Sequence, residues 1–143
     1  MAKSHTFLPD IAVADVAFEA WGKDLNTLFS AAAEATLEVM ANPSTIKPII
    51  TKTISLSAAT IENLLYDFLS EIIFLKDTEG MVFCKVSVTI TRSSTYTLQA
   101  TLAGDVVNPE TQELGNDVKA VTLHMFKIKK LKSGYTARVV LDI

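Results

Sequence analysis

With 143 residues, 49% of them hydrophobic and 20% charged, the chain has the make-up of one globular domain (1–143), which excludes disorder and low complexity. A net charge of −3 and a pI near 5.3 argue against a protein whose main task is to grip phosphate backbones. A single cysteine, Cys84, excludes an internal disulfide framework, and no stretch approaches the ~20 apolar residues of a membrane span. With no apolar signal region near the start, the expectation is a soluble cytoplasmic protein.

Residues 1–6 read as a mobile tail, with His5 solvated in it. Asp15 to Trp21 reads as a strand closed by Gly22, after which Asp24 is placed to cap a helix over Leu25–Met40. The apolar residues of that segment recur at three and four, and Asn42-Pro43 ends it. Pro48–Leu56 is rich in Ile and Thr and predicts a strand. Ser57 or Thr60 can cap a second helix running to about Leu75, with Leu64, Leu65, Phe68, Leu69 and Ile72 on its core stripe. Asp77–Gly80 has the residues of a turn.

Val82, Cys84, Val86, Val88 and Ile90 alternate with mostly polar partners, which makes Cys84 a small core hydrophobe of a half-buried strand. A strand with Tyr96, Leu98, Ala100 and Leu102 on one face follows the Arg92–Ser94 turn, and Gly104–Asn116 reads as an acidic loop. Val118–Lys130 and Tyr135–Ile143 form a final hairpin around Lys132–Gly134. Strands gathered late in the chain favour an α+β fold, a mostly antiparallel or mixed sheet packed with two main helices.

Catalytic signatures are missing: the 5 glycines form no phosphate loop, and the Cys/His spacing suits no zinc site. His124, inside the long strand with Thr122 and Phe126, reads as a half-buried histidine with a backbone partner, or else as a site residue. Lys127, Lys129, Lys130 and Lys132 form a solvated or edge-protecting run, with contact to an acidic partner or RNA as the alternative. The sharper clue is the ending. A strand that runs to the last residue sets the Asp142 side chain beside the Ile143 α-carboxylate, and two fixed carboxylates want a cation. Were Asp15 brought beside them, three hard oxygen donors would suit Ca²⁺, Mg²⁺ or Mn²⁺.

AVADVAFEAWGKDLNTLFSAAAEATLEVM (Ala12–Met40), LLYDFLSEIIFLKDTEG (Leu64–Gly80), NDVKAVTLHMF (Asn116–Phe126) and the final ARVVLDI (Ala137–Ile143) together resemble the archease family. The resemblance implies a small archease-like protein that assists an RtcB-type RNA ligase in tRNA splicing. Such a protein promotes guanylylation with GTP and turnover, meets tRNA only through the ligase, catalyses nothing itself, and touches neither membrane nor DNA. It also implies a divalent-metal site at Asp15, Asp142 and the Ile143 carboxylate, with Lys119 facing the partner and His124 matching a frequent family histidine. Many members carry His-Thr-Ala-Asp where this chain has Ala12-Val13-Ala14-Asp15. The Arg-His often found upstream of Val-Lys-Ala is replaced near Thr111-Gln112, and Asp117 stands for the usual Glu. Two rival readings remain: an independent metal-dependent hydrolase or nuclease on the same carboxylates, and an RNA- or protein-binding chaperone acting through the hairpin lysines.

Overall fold

The computed structural model describes residues 4–9 and 15–143. Its elements are β1 (His5–Phe7), β2 (Val16–Gly22), α1 (Leu25–Met40), β3 (Ile50–Ala58), α2 (Ile61–Glu79), β4 (Met81–Arg92), β5 (Tyr96–Val106), β6 (Ala120–Leu131) and β7 (Gly134–Asp142), with a short 3₁₀ turn at Pro43–Thr45. Two antiparallel sheets result, one ordered β1-β2-β7-β6 and one ordered β3-β5-β4. The expected α+β fold with two main helices is therefore what forms.

α1 starts where Asp24 and Thr27 satisfy each other's amides. The Asp24 carboxylate accepts from Thr27 N–H at 2.8 Å and the Thr27 hydroxyl accepts from Asp24 N–H at 3.1 Å. Thr27's hydrogen bonds hold the Asp24 carboxyl below its ordinary pKa. The alanine-rich inner face of α1 packs against both β2 and β4, so this helix ties the two sheets together. Its last carbonyls are satisfied from outside: Asn116 and Gly115 N–H donate to Val39 and Met40 C=O at 2.9 and 2.8 Å. α2 lays Leu64, Leu65, Phe68, Leu69 and Ile72 into the core, all fully buried, and Phe68 stacks on Phe29 of α1 with ring centres 6.2 Å apart.

Four expectations need correction. His5 and Thr6 do not lie in a mobile tail: His5 and its neighbours pair with β2, and the His5 ring is buried against α1, its Nε2 2.7 Å from the Glu38 carboxylate. The Asp77–Gly80 stretch is not a turn, because α2 continues to Glu79 and stops only where Gly80 adopts φ +63°, its N–H donating to Lys76 C=O. The inward alternation of β4 does not include Val82 and Cys84, although Val86, Val88 and Ile90 face the core as expected. A bulge between Phe83 and Lys85 shifts the phase, so Met81 and Phe83 point into the main core with Val88. Val82 and Cys84 instead meet Ala41 and Ile46 in a small second cluster, where burial pushes the Cys84 thiol pKa up. Finally, β5 does not end before Gly104 but runs through it to Val106, because only a glycine fits between β3 and the bulge of β4.

Candidate functional site

β7 is one of the two inner strands of the four-stranded sheet, and its residues alternate between the helices and the opposite, outer face. Val139 and Leu141 face inward; Arg138, Val140 and Asp142 face outward. Val16 of β2 lies across from Leu141, and Asp15 and Asp142 are the residues one step beyond that pair on the two chains. Both residues are half-buried. On the other side of β7, Ala120 is the partner of Asp142, and Lys119 N–H donates to Asp142 C=O at 2.8 Å, which pins the end of β7 between two strands. Lys119 keeps its side chain exposed.

Paired carboxylates on adjacent strands repel each other unless a cation or proton intervenes, and their hard oxygens match divalent ions of the calcium, magnesium and manganese class. Among the described residues no group of three His, Cys, Asp or Glu side chains forms a cluster that could hold a metal ion. Ala12, Val13 and Ala14 lie outside the described residues.

His124 departs from expectation. Between Thr122, opposite Val140, and Lys127, opposite Arg138, four β6 residues face the single Val139. The surplus is thrown outward as a bulge in which Leu123, His124 and Met125 are exposed and Met125 takes φ +55°. His124 is thus a surface residue rather than a half-buried one. Gln112 is buried and knits its own loop: it accepts from Asn108 N–H and donates to Val106 C=O.

A further ion cluster, invisible in the sequence because it joins α2 to the lead-in of β6, lies close to Lys119. The half-buried Lys76 ammonium reaches Asp117 at 2.5 Å and Asp77 at 2.8 Å. Burial disfavours the charged ammonium, yet the bonds to Asp117 and Asp77 together outweigh it and raise its pKa. The hydrogen bond from Lys76, aided by its charge and that of Lys119, holds the Asp117 carboxyl below its ordinary value. A depressed carboxyl pKa contributes stability that is present above the unfolded value of about 4 and is lost as pH falls through the folded value. Asp117→Asn is therefore expected to flatten the loss of thermal stability as pH falls below about 4, as read by melting temperature against pH. A slope identical to the parent's would remove the pair from the acid response.

The sequence profile described as the Archease protein family (MTH1598/TM1083) matches residues 7–143. A protein archease of Thermococcus kodakarensis is 37% identical over 132 residues, covering 91% of this chain and 93% of that one. One from Methanothermobacter thermautotrophicus is 36% identical over 131 residues with the same coverage. The solution structure of Methanobacterium thermoautotrophicum protein 1598 superposes with a TM-score of 0.83 at 30% identity, over 99% of this chain and 100% of that one. A Thermotoga maritima crystal structure, described as an archease and possible chaperone, shares the fold with a TM-score of 0.63 at 21% identity, covering 95% of this chain and 96% of that one.

Proposed function

Since the chain belongs to the archease family, we propose that it serves as a protein cofactor of an RtcB-type RNA ligase, promoting GTP-dependent guanylylation and turnover in tRNA splicing without catalysing a reaction itself. The observation that supports this reading is the β2–β7 register, whose last pair, Val16 and Leu141, leaves Asp15 and Asp142 as the next residue on each chain. In the proposal these carboxylates and the Ile143 carboxylate hold a divalent cation. Such an ion supplies charge neutralisation at phosphate oxygens, the requirement of nucleotidyl transfer. Lys119 orders the strand end through its amide and offers its exposed ammonium to the partner. The His124 bulge lies on the same strand and offers a second contact. A role beside a splicing ligase would place the protein in the cytoplasm, and no helix among the described residues is long and apolar enough to cross a membrane.

Asp142→Ala is expected to weaken Mn²⁺ or Ca²⁺ binding by at least about tenfold, measured by titration calorimetry, because a charged ligand is lost. Stimulation of ligase guanylylation is expected to fall with it. A short C-terminal extension, which turns the Ile143 carboxylate into an amide, is expected to do the same. Full stimulation by an Asp142→Ala protein that no longer binds metal would sink the metal half of the proposal.

A further inference from the structure

The outer face of the four-stranded sheet carries opposite charges at its two ends. Reading across β2, β7 and β6, Asp142 and Ala120 form the first row, and Ala17, Val140 and Thr122 the second. Glu19, Arg138 and Lys127 form the third, and Trp21, Thr136 and Lys129 the fourth. Rows two residues apart are separated by roughly 7 Å, so the cationic rows lie on the order of 15–20 Å from Asp142.

A cleft of about 500 Å³ opens over the third and fourth rows, floored by Arg138 and Thr136 and walled by Lys127, Lys129 and the apolar Met125 and Leu131. It adjoins a second hollow of about 330 Å³ through shared Glu19, Leu131 and Thr136, and Trp21 lies in that second hollow. Trp21 is 38% exposed although it is the chain's only tryptophan. Arg138 reaches Glu19 at 3.5 Å with one terminal nitrogen, while its Nε is buried with no hydrogen-bond partner. Three cations against one carboxylate, on a protein whose net charge is −3, make a local concentration of charge that the composition opposes.

We infer that this cleft holds a short segment of single-stranded RNA, with phosphates on Lys127, Lys129 and Arg138 and an unpaired base stacked on Trp21. Two lysines on alternate positions of one strand, with a guanidinium between them and β2, track a linear polyanion, and the guanidinium fork matches phosphate oxygens. An exposed indole offers the π face that a base requires and that an acidic peptide does not use. A peptide adding to the β6 edge would meet the Leu123–Phe126 bulge, which interrupts the backbone ladder needed for strand addition. Glu19 repels phosphate but accepts a hydrogen bond from a hydroxyl, and the ribose 2′-OH is the donor that separates RNA from DNA. This contact is independent of the ligase and the metal, and so goes beyond the function proposed above.

The test is a fluorescence titration of the isolated protein in EDTA, with Trp21 as the reporter and oligouridylate of about ten nucleotides as the probe. Saturable quenching is expected, with log affinity falling against log salt at a slope near −2, as three phosphate contacts on a single strand require. Lys127→Glu combined with Lys129→Glu, both exposed and so tolerated by the fold, is expected to weaken binding by at least about tenfold. Oligodeoxyuridylate is expected to bind several-fold more weakly, and Glu19→Gln to narrow that difference. Absence of quenching at low salt, an unchanged lysine double variant, or equal DNA affinity would overturn the assignment. So would an oligoglutamate of equal charge that quenches as strongly. Because neither ligase nor metal is present, none of these results bears on the carboxylate end of the face.

Discussion

Phe68→Ala is expected to cost about 3–5 kcal/mol, the range for a buried aromatic cut to a methyl. Phe68 has no exposed surface, lies at the centre of the core stripe of α2, and stacks on Phe29, which is equally buried in α1. The ring therefore bridges the two helices, and its loss leaves a void that neither helix can fill without leaving the strands it packs on, β2 and β4 for α1, β3 and β6 for α2. A domain of this size has about 5–15 kcal/mol in total, so the variant would sit close to the unfolding threshold. A fall in melting temperature on the order of 10–15 °C is expected, with a urea m-value unchanged if the native state is otherwise intact. A loss below about 1.5 kcal/mol would show that α1 and α2 collapse onto one another rather than being held rigidly in place. Phe68→Leu, which keeps much of the volume, is expected to recover more than half of the loss.

The second large effect is at a position with no side chain. A methyl group at Gly104 would lie 2.0 Å from Val82 O and 2.7 Å from Phe83 Cα. These are backbone atoms of the bulged stretch of β4, and on its other side Gly104 pairs with Ile50 of β3, so the strand cannot slide away. Gly104→Ala is expected to cost about 3 kcal/mol or more, at the upper end for overpacking, and to loosen the bulge. Cys84 reports that second event. Its thiol is half-buried with a raised pKa, so labelling by a disulfide reagent should be slow in the parent and markedly faster in the variant. Gly80 is the useful contrast. Its φ of +63° disfavours a side chain, but nothing lies within 4 Å, so Gly80→Ala should cost only about 1 kcal/mol. If the two alanines cost the same, backbone conformation rather than close approach would explain both.

These two sites also mark what sequence can and cannot convey. The α2 stripe was readable because its apolar residues recur at helical spacing, and Phe68 was on it from the start. The end of α2 was misplaced because Asp77, Thr78 and Glu79 prefer turns locally, whereas the decisive residue is Gly80 one step later. β4 was recognised as a strand with Val86, Val88 and Ile90 on its inner face, but its first residues were given the wrong face. A bulge adds one residue without altering composition, and the alternation before it then misleads. β1 has only 3 residues, too few for any periodicity, and is defined by pairing with β2. On the outer face, the hairpin lysines could be placed on their faces from alternation alone. Their pairing with Arg138, Glu19 and Trp21 depends on a register between β2 and β7 that joins opposite ends of the chain. For the same reason the sequence alone could not show that β2, which follows Asp15, lies against β7, which ends at Asp142.

The four-against-one bulge of β6 has a consequence for how such chains can vary. Thr122 and Lys127 are an odd number of positions apart, yet both face outward, so the bulge absorbs the phase error that a regular strand would carry into its second half. The ladder on each side is anchored independently, by Val140 before the bulge and by Arg138 after it. Residues can therefore be gained or lost between those anchors while Lys127, Lys129 and Ala120 keep their neighbours. The edge of this sheet has a built-in expansion joint, where relatives can change length and surface chemistry while both the carboxylate end and the cationic end stay in register.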